Sequence, residues 1–409
     1  MIKINIPTSP KKIIALLEKY GYEAYVVGGC VRDAILGREP NDWDVTTSCP
    51  AFYTREIFDK ADGFDAYPTG IEHGTVTVCY MGVPVEVTTF RMDAGYTDHR
   101  HPTIVSFSEN LHEDLARRDF TVCAMAYSER HGLVDIYGGM EDINARIIRC
   151  VGDPEERFNE DALRIMRALR FSSQLGFSIH EDTAKAARQL VHTFAYISKE
   201  RITEELSKLL LGKNAAGVMC EYADIISSAA PMLKTEDIAV AGEFAKRLSH
   251  PSLSLMLACL LVGASEERAE GFFKWLRFDN KTVKNTKKIL AFATTPIEDK
   301  IAVKRMCRDI GADCALDAIK LGIAMEVIEE DILECYRAAV LGGECFSLMQ
   351  LDIDGHDLIS LGCVHSFIGR ALDTLLDMVI CSEISNDRET LISTARSLMD
   401  EDGYIPERK

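Results

Sequence analysis

The chain has 409 residues, of which 47% are hydrophobic and 27% charged, and its net charge at pH 7 is −18. This length suggests about two to three domains. The acidic net charge disfavours nucleic-acid binding by overall charge, but local basic patches can still bind RNA. No apolar run approaches the ~20 residues of a membrane helix, and thirteen cysteines without a C-x-x-C pair argue against disulfides and zinc sites, so we expect a cytoplasmic protein without a membrane partner.

The first part of the chain alternates strand-like runs with turns. Strands are predicted over residues 24–27, 42–46, 74–79 and 83–90. The last two predict a hairpin, because β-branched residues alternate on both sides of the Met81-Gly82 turn. From residue 159 onward, apolar residues recur at helical spacings with hardly a strand signal. The sequence therefore predicts a mixed α/β head followed by a long all-helical part.

A glycine pair follows the first predicted strand. Gly28 and Gly29 stand between the apolar run and residues 31–36, which have a helical pattern. Backbone amides at such a turn can cradle a triphosphate, and Arg32 can add a bidentate cation. A Gly-Gly turn alone is more often only a tight connection, since its spacing matches neither the dinucleotide fingerprint nor the Walker loop.

Carboxylates are the next chemical feature. If residues 42–45 are extended, Asp42 and Asp44 face one side of the strand while Trp43 and Val45 face the other. Two carboxylates on one face can hold two Mg²⁺ ions, as metal-dependent nucleotidyl transfer requires. Glu86, on a later predicted strand, is either a third carboxylate of this acidic pocket or part of a solvated strand face.

Two further motifs are rich in cations. In the stretch Arg117-Arg118-Asp119, Arg118 can bind phosphate while Asp119 fixes a neighbouring arginine, and a structural ion pair is the alternative. Lysines also cluster on a predicted helix, either as an RNA contact or as a solvated face. They are Lys281, Lys284, Lys287 and Lys288.

Residues 160–170 are predicted to form one amphipathic helix. Its apolar stripe consists of Ala162, Ile165, Met166 and Leu169, and its charged half carries Asp161, Arg164, Arg167 and Arg170. Asp161 and Arg164 together form a hydrogen-bonding template: the carboxylate accepts from an exocyclic amine, and the guanidinium donates to ring acceptors. This template matches cytosine and adenine and leaves unpaired groups against guanine and uracil, so it would select CTP and ATP.

The order of these motifs resembles the class II tRNA nucleotidyltransferases, the CCA-adding enzymes of the polymerase-β-like superfamily. The matching stretches are residues 28–33, 42–44, 69–76, 86–91, 117–121 and 160–164. A weaker resemblance continues through residues 200–206 and 354–359. The resemblance implies an α+β fold: a polymerase-β-like nucleotidyltransferase head followed by an all-α neck, body and tail, arranged like a seahorse.

The resemblance also implies boundaries and roles. We expect a catalytic head over residues 1–140, a neck that recognises the base over 141–212, and tRNA-binding body and tail over 213–320 and 321–409. Asp42 and Asp44 would bind Mg²⁺, with Glu86 as a possible third catalytic carboxylate. Asp161 and Arg164 would read the base of the incoming nucleotide. Its phosphates or sugar would be contacted by Gly29, Arg32, Arg118, Arg167 and Arg170.

The implied reaction adds C, C and A to the tRNA 3′ end from CTP and ATP, without a nucleic-acid template and without a stable protein partner. Residues 91–107 fit the family's flexible loop, with Asp93, Tyr96, Asp98, Arg100 and Pro102 in place, which favours full CCA addition. An enzyme that adds only A or only CC remains an alternative. A poly(A) polymerase is disfavoured by residues 69–76 and by the acidic balance, and a non-catalytic RNA-binding remnant is disfavoured because Asp42, Asp44 and Arg118 are all present.

Overall fold

This computed structural model describes residues 2–96, 102–363 and 365–401 of the chain. The chain divides into two units, Met1–Pro231 and Met232–Lys409. The first unit combines a β-sheet with helices, and the described part of the second is helical. The predicted α+β architecture, a sheet-containing head followed by helices, is therefore confirmed.

The strands of the first unit form one large mixed sheet and two small pairings. The large sheet has the order β3-β4-β5-β2-β1-β8-β9 within the described residues, with β2 and β5 parallel and the other neighbours antiparallel. β6 pairs with β7, and β10 with β11. The strands are β1 Ala24–Val27, β2 Val45–Thr47, β3 Phe64–Gly70, β4 Thr75–Tyr80, β5 Val83–Thr89, β6 Arg91–Tyr96, β7 Pro102–Phe107, β8 Met125–Ser128, β9 Gly132–Asp135, β10 Ile147–Ile148 and β11 Ser178–Ile179.

Helices surround the sheet in the first unit and form the second. Those of the first unit are α1 Thr8–Lys19, α2 Gly29–Ile35, α3 Ala51–Asp59, α4 Leu111–Ala116, α5 Gly139–Ala145, α6 Pro154–Glu160, α7 Leu163–Leu175, α8 Glu181–Gln189, α9 Lys199–Leu210, α10 Ala215–Glu221 and α11 Ala223–Ala229. Those of the second unit are α12 Thr235–Ala245, α13 Leu253–Leu261, α14 Glu266–Leu276, α15 Asn280–Ala293, α16 Lys300–Ile310, α17 Ala312–Ala324, α18 Ile332–Val340, α19 Gly355–Ser360, α20 His365–Ile380 and α21 Arg388–Glu401. In the described part of the chain, no helix combines the length and the apolar composition needed to cross a membrane.

The predicted β4–β5 hairpin is confirmed, and its turn has the expected backbone geometry. Met81 and Gly82 both have positive φ, 51° and 79°, which matches the twist of the flanking strands in a two-residue turn. Along β5, Val85 and Val87 are buried while Glu86 between them is exposed. Strand alternation therefore turns Glu86 away from the core.

The predicted strand over residues 42–46 is wrong in its first half, because β2 begins only at Val45. β1 pairs with β2 through Val26 and Val45, and at Gly28 the chain turns into α2. The Asp44 carbonyl still accepts from the Val27 N–H at 3.0 Å, and the pairing with β1 ends there. Asp42 and Asp44 lie in the connection that enters the sheet.

The second unit begins its helices with polar caps. Ser252, Ser265, Asp279 and Asp299 each accept a hydrogen bond from a backbone N–H in the first turn of α13, α14, α15 and α16. Asp354 caps α19 in a capping box with Asp357. Such caps are each worth about 1 kcal/mol, so they explain where these helices start.

Candidate active site

The glycine turn is shaped by its contact with an arginine. Gly28 has φ +84°, and a Cβ there would lie 2.8 Å from Nη1 of Arg118. Its N–H donates to the carbonyl of Met125 on β8, which fixes the turn against the sheet. Gly29 then begins α2, and Nη2 of Arg32 lies 3.7 Å from where its Cβ would be. A side chain at residue 28 would therefore displace Arg118.

The three carboxylates line one cleft of about 810 Å³, together with Trp43. Because β2 and β5 are parallel with Val45 opposite Val87, the residues that precede this pair, Asp44 and Glu86, are neighbours at the edge of the pairing. Asp42 lies two residues earlier along the same connection. The predicted separation of Trp43 from the aspartates does not hold, since all of them border the cleft and the segment lacks strand geometry.

The electrostatics of this cleft favour a cation. Burial and the negative charges of Glu86 and Asp42 raise the pKa of Asp44, while Arg118 lowers it, and the net shift is upward. Asp44 nevertheless keeps access to solvent at the cleft. Within the described residues, no three acidic, histidine or cysteine side chains already surround a metal-sized site. Asp42 and Asp44 could serve a cation such as Mg²⁺, which usually takes one or two carboxylates and completes its shell with water and substrate phosphates.

Three arginines gather around one aromatic ring. The guanidinium carbons of Arg32, Arg167 and Arg170 lie 4.9, 5.3 and 4.1 Å from the ring centre of the buried Phe171. Each cation is attracted by the negative face of the ring. Phe171 therefore helps to hold three like charges in a small volume.

Each of these arginines also has a buried or half-buried carboxylate partner. Arg32 is only 7% exposed, and it donates to Asp33 at 2.9 and 2.8 Å and to the sulfur of Cys123 at 3.2 Å. Burial lowers the pKa of Arg32, but its interactions with Cys123 and Asp33 outweigh burial and raise it. The remaining pairs are Arg167 with Asp119 at 2.6 Å and Arg170 with Glu205 at 2.9 Å.

Some polar atoms in this cluster have no hydrogen-bond partner within the described residues. They include the buried Nε atoms of Arg118 and Arg170 and Oε2 of Glu205. Arg170 Nε and Glu205 Oε2 are close enough for an ion pair, but the N–H is not directed at the oxygen. Burial lowers the pKa of Arg170 and raises that of Glu205. Buried polar groups are normally satisfied, so these donors are available to an anionic ligand.

The Asp119–Arg167 pair makes a testable contribution to stability. Burial alone raises the pKa of Asp119, but the charges of Arg167 and Arg164 outweigh it and hold the pKa below its ordinary value. A depressed carboxyl pKa stabilises the fold above the ordinary value of about 4, and this contribution is lost as the pH falls through the depressed pKa.

Asp119→Asn should therefore lower the free energy of unfolding near neutral pH by about 3 kcal/mol, because it removes the buried carboxylate that Arg167 binds at 2.6 Å and leaves Arg167 only the more distant Glu205 at 3.9 Å. The deficit should shrink as urea unfolding is repeated from about pH 7 towards pH 4 and below. The control is Asp62→Asn, at an exposed carboxylate of the head. A deficit that is the same at every pH would contradict the assigned ion pair.

Asp161 and Arg164 do not share one helix, so the predicted continuous helix over residues 160–170 is wrong. α6 ends at Glu160, and Asp161 has extended backbone angles, φ −138° and ψ 103°, before α7 begins at Leu163. The Asp161 carboxylate accepts from the Leu163 N–H at 3.0 Å, which helps the chain turn into α7. The predicted apolar stripe is confirmed, since its members are buried: Ala162, Ile165, Met166 and Leu169.

The two side chains are held by other partners. Asp161 pairs with Arg201 of α9 at 2.9 Å, and Arg164 pairs with Glu160 at 2.6 Å. Arg164 also donates to the carbonyl oxygens of Arg157 and Arg117 at 3.1 and 2.9 Å. These bonds fix the guanidinium plane and leave its Nε–H and one further N–H for a ligand. Asp161 still has lone pairs that can accept a hydrogen bond.

Five of the predicted site residues line two adjoining cavities. Asp42 borders both the 810 Å³ cleft, with Asp44 and Glu86, and a second cavity of about 510 Å³, which is also lined by Arg32, Arg170 and Phe171. Gly29, Arg118 and Arg167 line neither of these two cavities, and the same is true of Asp161 and Arg164. The last two join the cluster indirectly, because Arg164 binds the carbonyl of Arg117 and lowers the pKa of Asp119.

Sequence reasoning did not identify the groups that position the arginines. Phe171, Glu205 and Arg201 were not singled out, and Asp114 was missed although it is fully buried and pairs with both Arg117 and Arg118, at 2.7 and 3.2 Å. The i,i+4 spacing of Arg167 and Phe171 is a signal that could have indicated their contact. The partners from α9 become apparent only in the fold.

Two other predicted features remain outside this cluster. Residues 91–107, predicted as the family's flexible loop, contain the antiparallel strands β6 and β7. Asp98 and Arg100 of this segment lie outside the described residues. In the lysine cluster of α15, Lys287 pairs with Glu270 at 2.8 Å and Lys288 donates to the carbonyl of Ile310. Those two lysines therefore have structural partners.

Known proteins resemble this chain over nearly its full length. Residues 24–149 match the family described as Poly A polymerase head domain, residues 176–222 the RNA and SrmB-binding site of polymerase A, and residues 248–395 a tRNA nucleotidyltransferase domain 2. A CCA-adding enzyme of Limosilactobacillus fermentum is 34% identical over 95% of this chain and 96% of its own, and one of Geobacillus thermodenitrificans is 35% identical over 93% and 94%.

Solved structures give the same result. The Bacillus stearothermophilus CCA-adding enzyme in complex with CTP superposes with a TM-score of 0.72 at 32% identity, covering 96% of this chain and 98% of its own. The Thermotoga maritima CCA-adding enzyme complexed with tRNA has a TM-score of 0.67 at 19% identity, covering 95% and 94%, and shares the fold.

Proposed function

This chain belongs to the CCA-adding enzyme family, and from that premise we propose how its own residues add C, C and A to the 3′ end of tRNA. The enzyme is a template-independent nucleotidyltransferase that uses CTP and ATP and releases pyrophosphate. The observation that carries the proposal is the position of Asp42, which borders both the carboxylate cleft and the arginine-lined cavity. Metal ligands and phosphate-binding groups therefore meet at one point.

Asp42 and Asp44 would hold Mg²⁺, with Glu86 next to Asp44 as the third carboxylate of the cleft. An ion held by these residues would supply a lower pKa for the attacking 3′-hydroxyl and positive charge against the triphosphate. The charges of Glu86 and Asp42 act against that of Asp44, and this supports the assignment, because a cation would relieve their repulsion.

Phosphate and sugar contacts come from Gly29, Arg32, Arg118, Arg167 and Arg170. The unsatisfied Nε atoms of Arg118 and Arg170 support the assignment, since a buried donor gains most from an anionic acceptor. Phe171 and the paired carboxylates fix the guanidinium planes before the nucleotide arrives. The arginine side chains then lose less conformational freedom when the nucleotide binds, which favours catalysis.

Asp161 and Arg164 read the base. Arg201 and the acceptors around Arg164 hold the two side chains in a defined orientation, and their remaining hydrogen-bonding capacity suits the amine and ring nitrogen of cytosine or adenine.

Catalysis belongs to residues 1–140, base recognition to 141–212, and tRNA binding to 213–320 and 321–409. All thirteen cysteines are free thiols, which is typical of the cytoplasm, the compartment we propose.

The experiment supplies tRNAs that end before CCA, after C and after CC, each with one nucleotide at a time. The proposal expects incorporation of CTP on the first two, incorporation of ATP on the third, and no extension after A. Long A tails would instead identify a poly(A) polymerase. Activity confined to ATP on the CC end, or to CTP alone, would identify a partial enzyme.

Glu86 has a test of its own. If it helps to hold Mg²⁺, Glu86→Gln should raise the Mg²⁺ concentration for half-maximal activity about 10-fold or more, because supporting groups at metal sites typically contribute that much affinity. The measurement is CTP incorporation as a function of Mg²⁺ concentration. Asp65→Asn, at an exposed carboxylate on β3, is the matched control. An unchanged Mg²⁺ dependence would make Glu86 part of a solvated strand face.

A further inference from the structure

The 510 Å³ cavity has an outer wall that the proposed nucleotide contacts do not use. Its inner wall includes Arg32 and Arg170, and its outer wall includes Arg38, after α2, and Lys213, after α9. Asp42 also lines the cavity. A path through this space therefore runs from the outer cations to the proposed metal ligands.

The backbone around Lys213 is fixed by close packing against the end of α7. A Cβ on Gly212 would lie 2.1 Å from the Ser173 hydroxyl oxygen, and the N–H of Asn214 donates to the Ser173 carbonyl at 3.0 Å. The Lys213 side chain packs over Gly176, and a Cβ on Gly176 would lie 2.8 Å from Cε of Lys213. Both glycines leave room for this turn, so the position of Lys213 is built into the fold.

Arg146, at the C-terminal end of α5, is a third cation near Lys213. Its carbonyl accepts from the N–H of Ser178, two residues after Gly176, and both Arg38 and Arg146 act electrostatically on Lys213. Burial and the charges of these two arginines lower the pKa of Lys213.

No ion pair or side-chain hydrogen bond involves Arg38, Arg146 or Lys213 within the described residues. The three side chains are exposed, and they come together in a chain whose net charge is −18. This contrasts with the inner arginines, each of which has a carboxylate partner. Glu39 lines the same cavity without an ion pair to these cations in the described part of the chain, and a group of unpaired cations on an acidic protein is a local site for an anion.

We propose that Arg38, Arg146 and Lys213 bind backbone phosphates of the RNA strand whose 3′ end reaches Asp42. The inference rests on the proposed function and adds an entry surface to it. The three residues come from separate segments, after α2, α5 and α9, and such a set suits several phosphodiesters of a strand better than one compact triphosphate. Exposed cations are also the groups that give sequence-independent, salt-sensitive binding, which an enzyme acting on many tRNAs needs.

The test is equilibrium binding of a fluorescent tRNA lacking CCA, measured by anisotropy over a series of salt concentrations. Lys213→Gln and Arg38→Gln should each weaken binding several-fold at low salt and reduce the slope of log K against log salt by about 1. The variants lie on different loops, so one remains informative if the other fails to fold, which melting temperature reports. Lys60→Gln changes the net charge equally at a lysine paired with Glu56 on α3, and should leave the slope unchanged.

CTP binding to the same variants separates the possible outcomes. We expect the affinity for CTP to change less than that for tRNA. A loss confined to CTP would assign these cations to the triphosphate and overturn the proposal, as would salt slopes equal to the wild-type value. Because binding is measured without turnover, this result is independent of CCA addition, and failure of the wild-type enzyme to add CCA would instead refute the proposed function.

Discussion

Asp42→Asn is expected to abolish nucleotide incorporation while leaving the fold and tRNA binding intact. The substitution keeps the shape of the side chain and removes the charge that would hold Mg²⁺ where the two cavities meet. Metal ions contribute several kcal/mol to the stabilisation of transition-state charge, so the rate should fall by about 10³-fold or more. The measurement is single-turnover incorporation of CTP on a tRNA lacking CCA, with anisotropy to follow tRNA binding.

The control for this variant is Asp62→Asn, which removes an exposed carboxylate elsewhere in the head. It should retain the wild-type rate. Normal turnover by Asp42→Asn would remove Asp42 from the metal site. A combined loss of activity, tRNA binding and thermal stability would assign Asp42 a structural role.

The second large effect is expected on nucleotide choice. Asp161→Asn replaces an acceptor-only carboxylate with an amide that can also donate, so it can pair with the carbonyl that uracil or guanine presents. The ratio of kcat/KM for CTP over UTP should fall by at least about 10-fold, since an unpaired buried polar group costs roughly 1–3 kcal/mol. Initial rates with each single nucleotide give this ratio.

The interpretation depends on Arg201, which the substitution deprives of a charged partner at 2.9 Å. Arg201→Gln should therefore be measured beside it: as a positioning residue, it should change selectivity in the same direction but less. Glu181→Gln, an exposed acid in the first turn of α8, is the neutral control. If Asp161→Asn kept wild-type selectivity, the base-reading role would be lost.

Local sequence patterns predicted much of the head. The β4–β5 hairpin followed from the alternation of β-branched residues around Met81-Gly82. The same alternation predicts that Glu86 faces away from Val85 and Val87, as it does in the structure. The start of β2 could not be predicted, because it depends on where its partner β1 ends in the fold. A β-ladder requires two strands, and the sequence around Asp42 and Asp44 does not show where the partner strand stops pairing.

The candidate site was predicted as a set of residues, but its supporting contacts were not. Asp161 was assigned to a helix because the apolar stripe continues through Ala162. Such a periodicity cannot reveal that the backbone is extended at a single residue, here Asp161. The partners Arg201 and Glu205 lie about 40 residues further along the chain on α9. Side-chain pairing over such separations follows from tertiary packing and leaves no local pattern.

We propose that this chain adds C, C and A to tRNA and that Asp161 and Arg164 choose the base. The most direct measurement is the mass of the product when a tRNA lacking CCA is incubated with all four nucleotides, Mg²⁺ and the enzyme. The account predicts one product, extended by two cytidines and one adenosine. Products that contain uridine or guanosine, end at CC or continue past A would contradict it.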